Sequence, residues 1–166
     1  LFGISKPNNV MLSINDVVKL IDYFGLIELT PNYTFCQSDE KYTNKYCFEK
    51  GKKILIDGKQ ALAYMRNRKS LPNCDFDRVK NQRQILKILI NKYLGLGVID
   101  KIKFYNYAKE NVQTDLKLTD FNIKRIIKVK QINLKEYTLK GEDYINKYYY
   151  YKLDLNYLEK IKKYYI

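Results

Sequence analysis

Between Asp57 and Gln84 the chain is built to form two helices with a break between them. Gln60, Ala61, Leu62 and Ala63 are strong helix formers, so a short helix is expected to run to about Met65. Arg66 and Arg68 then sit at or just past its end. Pro72 and Asn73 mark a turn. Asp75 or Asp77 can cap a long helix that continues to about Tyr93. On that helix Arg78, Gln82, Ile85 and Leu89 share one stripe, polar in the first turn and apolar afterwards. Its inward face is therefore expected to begin in a polar cleft and end in the core. A helix N-terminus adds N–H donors and partial positive charge, which favour an anion.

The same stretch holds four of the five arginines, Arg66, Arg68, Arg78 and Arg83; the fifth is Arg125. Lysine and arginine together number 31, so lysine is the default cation elsewhere. Arginine offers what lysine lacks, a planar fork that grips carboxylate or phosphate bidentately and keeps its charge when partly buried. One reading of the cluster is an oxyanion site. The other is a set of surface ion pairs with Asp75 and Asp77. Arg83 lies about 140° round the helix from Arg78 and is expected to face solvent.

The run from Asp57 to Arg68, followed by Leu71-Pro72-Asn73, Asp75, Asp77-Arg78 and Asn81-Gln82, resembles the LytR-CpsA-Psr family of cell-envelope phosphotransferases of mainly Gram-positive bacteria. The likeness extends to Asn9–Leu29, to Gln113–Leu116 and to Leu139–Gly141, nearly the whole chain. It implies an α/β fold, a three-layer α-β-α arrangement with a mixed central sheet flanked by helices. It also implies transfer of a glycopolymer, of teichoic acid or capsular polysaccharide type, from an undecaprenyl-pyrophosphate carrier to peptidoglycan. That work is done at the extracytoplasmic face of the cell membrane. By the resemblance Arg66, Arg68, Arg78 and Gln82 bind the pyrophosphate. Asp75 and Arg78 are the candidate catalytic residues. Asp75 would orient or deprotonate the acceptor hydroxyl, or else simply cap the helix.

Two positions depart from the family pattern, Cys74 where glycine is usual and Arg83 where a second glutamine is usual. The family's N-terminal part, with aspartates that hold Mg2+ or Mn2+, further arginines and a membrane anchor, is expected to be missing here, so no metal site is expected within this chain. Residues 1–166 are read as one partial catalytic domain, its C-terminal two-thirds. Alone it is expected to be inactive as a transferase and to bind pyrophosphate-bearing lipid weakly.

Composition narrows the alternatives. The formal net charge is +13, which suits an anionic partner, although abundant Lys, Asn, Ile and Tyr also fit an AT-rich genome. A non-catalytic basic fragment that binds anions or nucleic acid is the competing reading. The compact arginine cluster, without a named nucleic-acid motif, argues against nucleic acid. Histidine is absent, which removes histidine bases and triads. Cys36, Cys47 and Cys74 have no metal-ligand spacing; Cys36 and Cys47 can pair across a hairpin or stay as thiols.

The remaining elements follow from pattern. A short strand is expected at Val10–Leu12, then a helix capped by Ser13 or Asn15 and stopped by Gly25, then a strand over Leu26–Leu29. A strand at Tyr33–Cys36, a surface loop to Lys45, extended chain at Tyr46–Phe48 and a strand at Ile54–Ile56 precede the central helices. A helix over Val98–Tyr107 is expected to bury Ile99, Ile102 and Tyr105 or Tyr107. Beyond it come extended chain over Val112–Asp115, a helix from Thr119 to Val129 and a strand over Ile132–Leu139. The run Tyr148–Tyr151 reads as an aromatic platform or as a half-buried strand, and Asp154 caps a last helix.

Overall fold

A short helix over residues 58–66 packs against two other helices and three strands. The structure is a computed structural model that describes residues 10–11, 13–39, 42–114, 129–133 and 136–163. These fall into two compact units, one within residues 8–131 and one within 132–166.

In the larger unit β1 (Val10–Met11) leads to α1 (Ile14–Tyr23). Ser13 caps α1, accepting from Asp16 N, while Asp16 Oδ2 accepts from Ser13 N, a reciprocal capping box. Gly25 follows at φ 71°, the left-handed region that glycine enters without steric cost. Next come β2 (Ile27–Leu29), β3 (Phe35–Ser38), β4 (Lys45–Phe48) and β5 (Ile54–Ile56). The helices α2 (Gly58–Arg66), α3 (Cys74–Leu94) and α4 (Val98–Asn111) follow, then β6 (Gln113–Thr114). The smaller unit is a hairpin of β7 (Gly141–Ile145) and β8 (Tyr149–Leu153) followed by α5 (Leu155–Lys162), capped by Asp154.

The fold is α/β. Among the described residues its strands pair in twos, all antiparallel: β1 with β6, β2 with β5, β3 with β4 and β7 with β8. The stretch expected as surface loop between Cys36 and Lys45 is thus largely a hairpin. Cys36 lies opposite Cys47 in it, and the two form a disulfide.

The core of the larger unit is Ile21, Ile27, Leu29, Phe35, Phe48, Ile56, Ala61, Tyr64, Leu71 and Ile85. Tyr64 is fully buried between the hairpin rings, stacked on Phe35 at 5.6 Å and edge-on to Phe48 at 5.2 Å. Its hydroxyl donates to Gln84 Oε1 (2.7 Å) and accepts from Asn32 N (3.2 Å). Gln84 Nε2 in turn donates to Thr30 O (2.7 Å). One phenol thereby ties α2 to α3 and to the chain between β2 and β3. A second aromatic group, Tyr23, Phe24, Phe104 and Tyr107, joins α1 to α4.

Several expectations are corrected. The inward stripe of α3 is Asp77, Asn81 and Ile85, one residue back from Arg78 and Gln82. In α4, Ile99 and Ile102 face solvent, while Lys101 is buried, with its Nζ 2.9 Å from Val129 O and over the Tyr93 ring. An apolar stem with one accessible carbonyl lets a lysine occupy that place. The described part of Ile132–Leu139 is not strand; the strand begins at Gly141. Tyr148, Tyr149 and Tyr150 are exposed rather than half-buried. The helix expected over Thr119–Val129 lies almost wholly outside the described residues.

Gly58 is where α1 and α2 touch. Its N–H donates to Asp22 Oδ1 (2.7 Å), and a Cβ placed there would lie 2.6 Å from Val18 O. Gly58→Ala must push the helices apart and is expected to lower unfolding stability by about 1–3 kcal/mol. Denaturant titration measures it, and unchanged stability would show that this approach is not a constraint.

Candidate functional site

The turn between α2 and α3 is organised by a buried carboxylate. Asp77 is fully buried. Its oxygens accept from Tyr33 Oη (2.7 Å), Asn73 N (2.9 Å), Asn73 Nδ2 (3.1 Å) and Lys80 Nζ (2.8 Å). Burial pushes its pKa up, but the hydrogen bonds from Lys80, Tyr33 and Asn73 outweigh that and hold it at about 2. The N-cap of α3 is Asn73, and Asp77 reaches back to it from the first turn, so neither Asp75 nor Asp77 is the cap residue itself. The backbone N–H groups of Asn73, Cys74 and Phe76 are all bonded within this turn, to Asp77, Leu71 O and Asn73 O. The open helix-terminal donors expected for an anion are therefore already engaged at these positions. Cys74 sits at φ 40°, which suits the glycine usual at this place in the family pattern.

Two side chains of α3 then fix the end of α2. Asn81 Nδ2 donates to Tyr64 O (3.5 Å) and Gln82 Nε2 to Met65 O (3.4 Å). These carbonyls belong to the last turn of α2, where helices lack internal partners. Asn67, the C-cap, is buried and accepts from Ser70 Oγ (3.1 Å). The end of α2, just before Arg66 and Arg68, is therefore tied to α3.

On this frame Arg68 and Arg78 converge. Arg68 Nη2 lies 2.9 Å from Asp75 Oδ2, and Arg78 Nη2 lies 2.6 Å from Asp75 Oδ1. One carboxylate thus bridges two guanidinium groups. The Arg78 contact is close without hydrogen-bond alignment, and Arg78 Nε is a buried donor with no acceptor among the described residues. Arg66 is exposed at the end of α2 and lines a cavity of about 310 Å3 with Asn15, Ser38, Asn44 and Lys59. Gln82 is exposed and donates from its amide to Met65 O. Arg83 is partly buried rather than solvent-facing. The cavity wall supplied by the β3–β4 hairpin was not read from sequence. The Asp39 and Asn44 that close its turn were its only visible signal.

No group of three or more acidic, cysteine or histidine side chains that could hold a metal occurs among the described residues. Asp75 faces two arginines and Asp77 is saturated with donors, so these residues do not fit a divalent ion. No helix among the described residues is long and apolar enough to cross a membrane.

Fold and turn together define an α/β domain in which Arg68 and Arg78 meet at Asp75 across a helix–turn–helix junction. The chain belongs to the LytR_cpsA_psr family, whose model matches residues 1–165. It is 38% identical over 154 residues to the polyisoprenyl-teichoic acid–peptidoglycan teichoic acid transferase TagU of Bacillus licheniformis, covering 91% of this chain and 47% of that protein. The crystal structure of TagV from Bacillus subtilis matches with a TM-score of 0.78 at 28% identity, over 98% of this chain and 63% of that one. A crystal structure of a protein from Streptococcus agalactiae matches with a TM-score of 0.81 at 26% identity, over 98% and 56%. The chain spans about half the length of the curated relatives it matches.

Removing the Asp77 carboxylate leaves Tyr33, Asn73 and Lys80 without their acceptor. Asp77→Ala is expected to lower stability by about 3 kcal/mol. The folded pKa, about 2, lies below the unfolded value of about 3.9. The contribution of Asp77 is thus present above pH about 4 and is lost as pH falls toward 2. Unfolding midpoints between pH 2 and 7 measure both, and in Asp77→Asn the part of the acid loss due to this group should be gone.

Proposed function

We propose that this chain is the arginine-bearing part of an envelope transferase that moves a glycopolymer, of teichoic acid or capsular type, from a polyprenyl-diphosphate carrier to peptidoglycan. The carrier is of the undecaprenyl type, and Arg66, Arg68, Arg78 and Gln82 bind its diphosphate. The observation that carries this reading is the convergence of Arg68 and Arg78 on one carboxylate, with the buried Arg78 Nε without an acceptor among the described residues. Buried donors of this kind call for a ligand. A diphosphate offers several oxygens to a pair of forks where a lone carboxylate offers two. The names of the relatives support polymer and acceptor, and family membership supports the reaction class.

In this reading the acceptor hydroxyl oxygen attacks the sugar-linked phosphorus. The bond from that phosphorus to the bridging oxygen breaks, and polyprenyl monophosphate leaves with the electron pair. Most of the work is holding the phosphates in line and neutralising charge as the leaving group forms, which guanidinium groups do. Asp75 accepts the hydroxyl proton. Both its oxygens face arginines in the structure, so an acceptor reaches them once the forks turn to the phosphates. Substrate binding thereby unmasks the base. A divalent ion, which the family resemblance implies, would add charge neutralisation, and Asp75 and Asp77 would not be its ligands.

Action at the extracytoplasmic face, with membrane association through an N-terminal anchor, belongs to the same proposal. The Cys36–Cys47 disulfide supports it, since such bonds persist in oxidising compartments.

Arg66→Lys and Arg78→Lys keep the charge and remove the fork. In the full-length gene product each is expected to reduce transfer from a polyprenyl-diphosphate-linked sugar by about a hundredfold with the melting temperature unchanged. Transfer at the unaltered rate in either variant would remove that arginine from the diphosphate site.

A further inference from the structure

The β7–β8 hairpin carries a tip that the proposed transfer does not use. Ile145 pairs with Tyr149, and Asn146 N donates to Tyr148 O (3.1 Å) across the turn between them. Residues 144–152 comprise five tyrosines, one isoleucine, one asparagine and two lysines, with no acid. Ile145 is 75% exposed and Tyr148 63%. Single exposed apolar side chains are ordinary, but a cluster of them marks a contact surface. The acids stand at the base of the hairpin and are engaged there. Asp143 Oδ1 accepts from Tyr149 Oη (2.6 Å), and Glu142 Oε1 lies 3.5 Å from Lys152 Nζ. At the turn the Lys147 ammonium lies over the Tyr148 ring, 5.8 Å from its centroid.

We propose that this tip contacts the surface of an anionic phospholipid bilayer, with Ile145 and Tyr148 entering the headgroup region and Lys147 meeting the lipid phosphates. The proposal is independent of the diphosphate reading, since it needs the hairpin alone. Chemistry selects the bilayer surface. Tyrosine has an apolar body and a polar end, and it concentrates at the membrane–water boundary. A lysine beside it can lay its stem along apolar surface while its charge stays in water, where the negative surface potential of the lipids attracts it. The net charge of +13 draws the chain toward the same surface. Contact at headgroup depth needs no membrane-spanning helix. A glycan strand stacked on the rings is the competing occupant, and the ring geometry disfavours it. Stacking of successive sugars calls for open, nearly coplanar ring faces. Tyr144 and Tyr150 face each other across the strands with centroids 6.3 Å apart and planes tilted by 42°. One face of Tyr148 is taken by the Lys147 ammonium.

The chain contains no tryptophan, so Tyr148→Trp places a single fluorophore at the tip. That variant is titrated with vesicles of equal parts phosphatidylglycerol and phosphatidylcholine, with vesicles of phosphatidylcholine alone, and with soluble peptidoglycan fragments. The expected result is a blue-shifted emission with the anionic vesicles, quenched when their acyl chains are brominated near the headgroup, and little change with the other two. Adding Ile145→Ser and Lys147→Gln is expected to raise the lipid concentration for half-binding about tenfold. All three positions are exposed, so the melting temperature should be unchanged. If the chain sediments with anionic vesicles while the tip emission stays that of tryptophan in water, binding is by general charge and the tip contact is overturned. An unchanged half-binding concentration in the triple variant overturns it too. So does an emission shift with peptidoglycan fragments alone, which would assign the tip to a glycan. Pyrophosphate binding by the same variants reports separately on the arginines, so the two proposals fail independently.

Discussion

The Asp77 carboxylate is the interaction on which the rest of this site depends. It is buried, ionised and surrounded by donors from Tyr33, Asn73 and Lys80. Each donor belongs to a different piece of the local structure: the approach to the β3–β4 hairpin, the turn, and α3 itself. An isolated buried charge is costly, and this one is tolerated because four hydrogen bonds offset its desolvation. The consequence is directional. Asp77 sets where α3 begins, and the start of α3 sets where Asp75 and Arg78 stand. Asn81 and Gln82, one turn further, carry the same frame to the end of α2 and so to Arg66 and Arg68. Tyr64 closes the frame from the other side through Gln84.

The helices of this frame could be read from the sequence because strong local signals agree with tertiary packing there. Ser13 with Asp16, Gly25, Pro72 and the alanines of α2 each act within a few residues. In the first turns of α3 the inward residues are Asp77 and Asn81, one back from the expected Arg78 and Gln82, while Ile85 and Leu89 pack inward as expected. Periodicity locates an apolar face, but the first two turns of α3 are polar on neighbouring stripes, and burial of Asp77 and Asn81 is decided by Tyr33 and by the carbonyls of α2. Those partners are distant in sequence. The same reason hid Lys101, whose partner Val129 O lies 28 residues away. The strand at Gly141–Ile145 carries glycine and two acids, so alternation pointed to Ile132–Leu139 instead. For the site, the four arginines advertised a shared role, while the Asp75 bridge and the hairpin cavity needed coordinates.

A division of labour follows from the use of two cations. Lysine is the commoner of the cations that give the chain its net charge of +13, which raises the local concentration of any anion. Four of the five arginines fall in one stretch, where the forks of Arg68 and Arg78 meet in partial burial. Asp75 holds the two forks together, which limits repulsion between Arg68 and Arg78. Such a counter-ion also sets a threshold. A weak monoanion gains little by displacing Asp75, whereas a diphosphate can engage both forks at once.

That point is open to direct measurement. Inorganic pyrophosphate is titrated into the chain and into Arg68→Ala, Arg78→Ala and the double variant at one salt concentration. If both arginines grip one diphosphate, their contributions are coupled, and the double-mutant cycle closes with an interaction of at least about 1 kcal/mol. Additivity within about 0.5 kcal/mol, or an Arg78→Ala variant that binds as tightly as the unaltered chain, would contradict a shared site.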